Sequence, residues 1–184
     1  MLPILKKTKQ YVNGGIVMEP KMVKKEAVKI AGFTIKTKTK DGENLKEIPK
    51  FWRDYAFNGR QKMIHKESFL KSHDEYGACF PENPENGEFE YVIGLEVKDD
   101  QDIPGEYNVF TIPEALYAVF STPPSDEENF SKEIQGTWKY IFTEWFPNSG
   151  YEFDCGKVDY ELYTEQAMSE SGKVCEICIP VVKR

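Results

Sequence analysis

Asn129-Phe-Ser-Lys-Glu-Ile-Gln-Gly-Thr-Trp-Lys-Tyr-Ile-Phe-Thr-Glu-Trp-Phe-Pro-Asn-Ser-Gly150 is the stretch that decides the fold. Phe130, Ile134, Trp138, Ile141, Phe142 and Trp145 recur at spacings of three and four, the period of one helix face. Pro123-Pro-Ser-Asp126 supplies a turn and a cap before it, and Pro147-Asn-Ser-Gly150 stops it. Upstream, Tyr107 to Ser121 reads as a strand broken near Pro113. Downstream, Tyr151 to Thr164 and Lys173 to Lys183 read as two more strands, with Gly156 as a bulge.

The same order of elements precedes it. Glu26 to Thr39 alternates around Val28, Ile30, Phe33 and Ile35, with a bend at Ala31-Gly32, and predicts a strand. Glu47 to Met63 carries Ile48, Phe51, Trp52, Tyr55 and Ala56 at helical spacing, with Pro49 in the first turn. A polar stretch, His65 to Asp74, leads to a short strand, Glu75 to Pro81, and a turn at Pro81-Glu-Asn-Pro-Glu-Asn-Gly87. Glu88 to Lys98 then places Phe89, Tyr91, Ile93, Leu95 and Val97 on one face.

Strand, helix, strand, strand therefore runs twice, over residues 26–98 and 107–183. Ile48-x-x-x-Trp52 parallels Ile134-x-x-x-Trp138, and Tyr91-Val-Ile-Gly-Leu95 is matched to Ile177-Cys-Ile-Pro-Val181. The pattern predicts an α+β fold of two β-α-β-β repeats about a pseudo-twofold axis, with a ligand cleft between them.

Composition narrows the function. In 184 residues, 40% hydrophobic and 14% aromatic side chains are enough for a core. We expect one domain at 22–184 after a loosely attached, lysine-rich extension at 1–21, which contains Asn13-Gly14-Gly15 and a short helical turn. A net charge of −7 disfavours direct nucleic-acid binding and anionic lipid, despite the lysines at Lys6, Lys7, Lys9 and Lys21 to Lys25. No apolar run approaches the roughly 20 residues of a membrane helix, and no signal-peptide pattern opens the chain, so a cytoplasmic location is expected.

Catalytic and metal signatures are sparse. Cys175-Glu-Ile-Cys178 has redox or zinc spacing, yet it lies in a strand, where side chains three apart point to opposite faces. Structural thiols, no metal and no cofactor are the expectation. Gly-x-Ser-x-Gly and phosphate-cradling glycine loops are absent from the sequence.

Several motifs in order resemble a known family. They are Lys29-Ile-Ala-Gly-Phe33, Tyr91-Val-Ile-Gly-Leu-Glu96, Ile112-Pro-Glu-Ala-Leu-Tyr-Ala-Val-Phe120, Trp145-Phe-Pro-Asn-Ser-Gly-Tyr151, Asp159-Tyr-Glu-Leu-Tyr163 and Glu176-Ile-Cys-Ile-Pro-Val181. Together they resemble the GyrI-like, or bacterial transcription activator effector-binding, domain over roughly Met22 to Lys183. The resemblance implies two SH2-like β-α-β-β repeats around a ligand cleft. Family regulators also carry a helix-turn-helix module. About 21 residues precede the motifs here, so a stand-alone member without direct DNA binding is expected.

The resemblance places the ligand-facing carboxylate at Glu161. Strand alternation agrees if Tyr160 and Leu162 face the helix layer, because Glu161 and Tyr163 then face away from it, towards a cleft. A carboxylate among aromatic rings attracts organic cations by charge and through the π faces. The ligand-binding candidates are Glu161, Tyr163, Tyr91, Trp138 and Trp52. For an enzyme, Glu161 and Glu176 are the catalytic candidates, with Glu90 as the repeat counterpart of Glu176. From the residues alone, either carboxylate also reads as a surface group, and Trp138 also reads as core. Tyr91 shares a face with Phe89 and Ile93, which speaks for packing.

The leading expectation is a protein that captures hydrophobic, often cationic, drug-like molecules. The family resemblance also implies two alternatives: a hydrolase of cyclopropane-bearing DNA-alkylating compounds, and a regulator with a protein partner such as gyrase.

Overall fold

A computed structural model describes residues 10–12, 15–169 and 172–184. A hairpin of β1 (Gln10–Val12) and β2 (Gly15–Val17) precedes β3 (Lys21–Lys25) and β4 (Val28–Lys38). A 3-10 turn at Lys40–Gly42 leads into α1 (Asn44–Phe57) and α2 (Arg60–Ile64), followed by β5 (Leu70–Cys79) and β6 (Glu88–Val97). The second half has β7 (Asn108–Ile112), β8 (Ala115–Ser121) and α3 (Glu127–Tyr140). A π-helical turn, Ile141–Trp145, joins α3 to α4 (Phe146–Ser149). Then come β9 (Tyr151–Phe153), β10 (Asp159–Tyr163), α5 (Glu165–Ser169) and β11 (Glu176–Lys183).

Local chemistry explains the boundaries. The Asn129 amide donates to the Asp126 carboxylate at 2.9 Å, capping α3, and Gly150 ends α4 with a left-handed φ of 74°. The helix expected over 47–63 is two helices, because Gly59 takes a left-handed φ of 78° that breaks the run. The strand expected at 75–81 begins earlier, at Leu70, with an irregularity in pairing between Leu70 and Glu75 that accommodates part of the polar stretch. The short helical turn expected in the extension is replaced, where the backbone is described, by the β1–β2 hairpin. Lys6, Lys7, Lys9, Asn13 and Gly14 lie outside the described residues.

Among the described residues nine strands form one antiparallel sheet, ordered β3-β8-β11-β10-β5-β6-β4-β7, with β9 added to the end of β11. Outward from the central pair, β5-β6-β4 mirrors β10-β11-β8. The outermost strands are exchanged. β3 precedes β4 in the chain but pairs with β8, while β7 precedes β8 but pairs with β4. Each half thus holds a strand of the other, so the sheet is one cooperative unit.

The seam between the halves is β5 against β10, with Glu161 opposite Gly77 at its middle. Gly77 pairs outward with Ile93, and Glu161 pairs outward with Ile177. The repeat therefore equates Ile93 with Ile177 and Gly77 with Glu161. The expected match of Tyr91–Leu95 to Ile177–Val181, and of Glu90 to Glu176, is two residues out of step. Alternating apolar strands satisfy any even shift equally well, so the pattern alone could not choose.

Three apolar clusters divide the faces. Phe51 and Tyr55 of α1 cover Ala31, Ile93 and Leu95 on one side of the seam. Phe130 and Ile141 cover Ala118, Phe120, Ile177 and Ile179 on the other. The opposite face carries Ile30, Tyr76, Ala78, Tyr117, Tyr160, Leu162 and Cys178 across both halves, where the Tyr160 ring lies 5.4 Å from both Tyr76 and Tyr117. Tyr160 and Leu162 thus face away from the helices, and Glu161 and Tyr163 face the helix layer. This reverses the expected assignment of faces. Cys175 and Cys178 diverge onto different faces.

Gly32 and Gly94 are paired where β4 crosses β6, and a Cβ on Gly32 would sit 2.0 Å from the Ile93 carbonyl oxygen. Gly32→Ala should destabilise the protein by on the order of 2–3 kcal/mol, because backbone must move to admit the methyl. Urea denaturation with an unchanged midpoint would contradict this close approach.

Candidate functional site

Helices on the two lateral cores leave the seam as a shared floor, reached by one tryptophan from each half. The Trp138 indole N–H donates to Glu161 Oε1 at 2.7 Å. The Tyr163 hydroxyl donates to Glu161 Oε2 at 2.5 Å. On the other side, the Trp52 indole N–H donates to the Tyr91 hydroxyl at 2.7 Å. Trp52 and Tyr163 meet edge to face with centroids 5.0 Å apart, closing the ring of contacts across the seam. All five ligand candidates, Glu161, Tyr163, Tyr91, Trp138 and Trp52, therefore belong to one cluster. Tyr91 is buried, whereas the other four keep partial solvent contact.

The orientation follows from strand phase and from one glycine. Asp159, Glu161 and Tyr163 leave β10 on the helix side. A Cβ on Gly77 would stand 2.4 Å from the Tyr91 hydroxyl and 3.1 Å from Trp52 Cζ2. The missing side chain is what lets Tyr91 reach Trp52 across the floor. Beside the groove, Glu75 accepts from Tyr55 at 2.7 Å and Gln61 at 3.0 Å and lies 2.9 Å from His65 Nε2, which ties α1 and α2 to β5.

Glu176 stands apart. It pairs with Leu162 and lies on that residue's face, opposite to Glu161. It is Ile177 that stands beside Glu161, so the structure does not bring Glu161 and Glu176 together as a paired acid site. Two further acids share the Glu161 face, Glu75 of β5 and Asp159, which sequence reasoning passed over although it sits two residues from Glu161 in the same strand. Cys79 stands opposite Asp159 in the strand register.

Electrostatics on this floor favour neutral acids or a cationic visitor. Burial raises the Glu161 carboxyl above its ordinary range, opposed by the hydrogen bonds from Tyr163 and Trp138. Burial pushes the Asp159 carboxyl up to about 7, with the Cys79 hydrogen bond opposing and the Glu161 charge adding. The hydroxyls of Tyr91 and Tyr163 are held well above their ordinary range by burial and by Glu161, so both remain neutral donors. Among the described residues no group of three or more His, Cys, Asp or Glu is arranged to hold a metal ion. None of their helices is long and apolar enough to cross a membrane.

A repeated β-α-β-β sheet with an acid and paired tryptophans at its seam defines an effector-binding class of domain. The chain belongs to the Cass2 family, described as integron-associated effector-binding proteins, whose model matches residues 21–181. The solved structure of SAV2435 bound to tetraphenylphosphonium superposes with a TM-score of 0.73 at 18% identity, covering 90% of this chain and 94% of that one. The integron cassette protein VCH_CASS2, from the mobile metagenome of Vibrio cholerae, gives a TM-score of 0.58 at 16% identity, over 90% and 97%. These likenesses establish the fold. The transcriptional regulator BrlR of Pseudomonas aeruginosa PAO1 is 32% identical over 91 residues, which are 50% of this chain and 31% of that regulator. The match thus spans about a third of the regulator's length.

Two outcomes test the geometry. Gly77→Ala should displace the Tyr91–Trp52 pair, cost on the order of 1–3 kcal/mol, and red-shift Trp52 emission in a background lacking the other tryptophans. An unchanged spectrum and midpoint would refute the steric argument. Asp159 has a native pKa above its unfolded value, so the native state binds the extra proton. Its contribution to stability is therefore lost as pH rises from about 4 through 7. Asp159→Asn should gain on wild type by on the order of 1–2 kcal/mol between pH 5 and pH 8. Parallel melting curves at both pH values would show the acid to be unperturbed.

Proposed function

We propose that this chain is a small-molecule-binding module that captures hydrophobic, often cationic, drug-like compounds at the seam. The binding unit comprises residues 22–184, with 1–21 as an extension. One observation carries the reading: Glu161 is held by two neutral donors and, among the described residues, has no ion-pair partner. A carboxylate removed from bulk water without a cation is poorly compensated, and a ligand cation supplies what is missing. Trp52, Trp138 and Tyr163 add π faces and apolar area for a flat or bulky aromatic body. Tetraphenylphosphonium, the ligand of the SAV2435 structure, combines those properties: one positive charge inside an aromatic shell. Family membership among effector-binding proteins supports the same class of activity.

Titration with tetraphenylphosphonium or a rhodamine cation, followed by tryptophan quenching and calorimetry, tests this. Saturable binding in the micromolar range is expected. Glu161→Gln should weaken it by about tenfold or more, the effect of removing one charge-assisted contact. Folded wild-type protein that shows no saturation at high micromolar ligand overturns the reading. Full affinity in Glu161→Gln removes Glu161 from it.

A further inference from the structure

Besides Glu75, which meets His65, two carboxylates stand on the helix-side face of the seam. Asp159 precedes Glu161 by two residues on β10, so both side chains leave the strand on the helix side, and their Cα atoms lie about 6–7 Å apart along the strand. Across the seam, Asp159 faces Cys79 and Glu161 faces Gly77, so neither is met by a basic side chain from β5. Glu161 receives an indole and a phenol, while Asp159 has only Cys79 opposite it in the pairing. Among the described residues, every ion pair engages other carboxylates: Glu114, Glu43, Glu75, Glu96, Glu127 and Glu152.

The ordinary alternative is a structural acid that packs opposite Cys79 with no ligand to meet. That role does not account for a second acid beside the first on a floor that offers no positive charge. Two neighbouring carboxylates in a poorly hydrated site repel when both ionise, and a single ligand cation relieves only one of them. The aromatic surfaces extend along the same line. Tyr163 follows Glu161 on β10, with Trp52 at its edge, so an elongated aromatic ligand lying along the strand meets both acids and the rings.

We propose that Asp159 is a second anionic anchor, and that the groove selects aromatic dications whose positive centres stand about 6–7 Å apart. This rests on the groove being the binding site and adds the class of ligand that fills it.

The test compares benzene-1,4-bis-amidine, its mono-amidine and a longer biphenyl bis-amidine. Each is titrated calorimetrically at pH 8 and physiological salt into wild type, Asp159→Asn and Glu161→Gln. Wild type is expected to prefer the short dication over the monocation by about tenfold, and over the longer dication by a smaller factor. Asp159→Asn should collapse the first ratio towards one while leaving monocation affinity within about twofold, and Glu161→Gln should weaken both. Asp159→Ser, smaller and equally uncharged, should give the same collapse and guards against a folding defect in the Asn variant. Equal affinity for short dication and monocation in wild type, unaltered by either Asp159 variant, overturns the second anchor while leaving the single-acid reading intact. Wild type that binds none of these amidines, nor tetraphenylphosphonium, overturns both.

Discussion

The antiparallel pairing of β5 with β10 is the constraint on which the rest of the molecule depends. It places Glu161 against Gly77 at the point where the two repeats meet, and it makes both lateral cores parts of one sheet. The exchange of β3 and β7 reinforces it, because separating the halves would break two further ladders. A site at such a seam draws on both repeats. Its polar groups are met by side chains from the helices of both halves, Trp52 and Trp138.

The repeats are equivalent in backbone and deliberately unequal in chemistry. Trp52 and Trp138 come from corresponding helices, and each donates its indole N–H to an acceptor of its own half beside the seam. In the second half the acceptor is the Glu161 carboxylate. In the first half the corresponding position is Gly77, and the Tyr91 hydroxyl from the next strand fills the space. Cysteines take the reciprocal places, with Cys79 paired to Tyr91 and the Cys175 thiol against Tyr163. One charged and one neutral wall result.

The chain belongs to an effector-binding family and shares its fold with SAV2435. The fold by itself would not have chosen a ligand, since the same sheet architecture serves many sites. The proposed ligand class rests on what stands at the seam: the Glu161 carboxylate without an ion-pair partner among the described residues, neutral tyrosines and two tryptophans.

Much of this was legible in the chain. Apolar spacing around Trp52 and Trp138 marks two helices, alternation marks the strands, and their recurrence marks the duplication. The motif around Asp159–Tyr163 drew attention to Glu161, and the aromatic candidates stand in one cluster with it. Other features were not legible. Alternation separates the faces of β10 but cannot say which face the helices will cover, so Glu161 was first turned the wrong way. Ambiguity under even register shifts misaligned β6 with β11, and the reversed face of β10 set Glu161 with Glu176 in place of Asp159. Gly77 carries no signal at all in one dimension, since its role is the space it leaves for Tyr91. The amino-acid sequence by itself determined the repeat, the elements and the chemistry available. Only the tertiary structure decided which of those groups meet, because strand register and helix placement are settled by contacts between residues far apart in the chain.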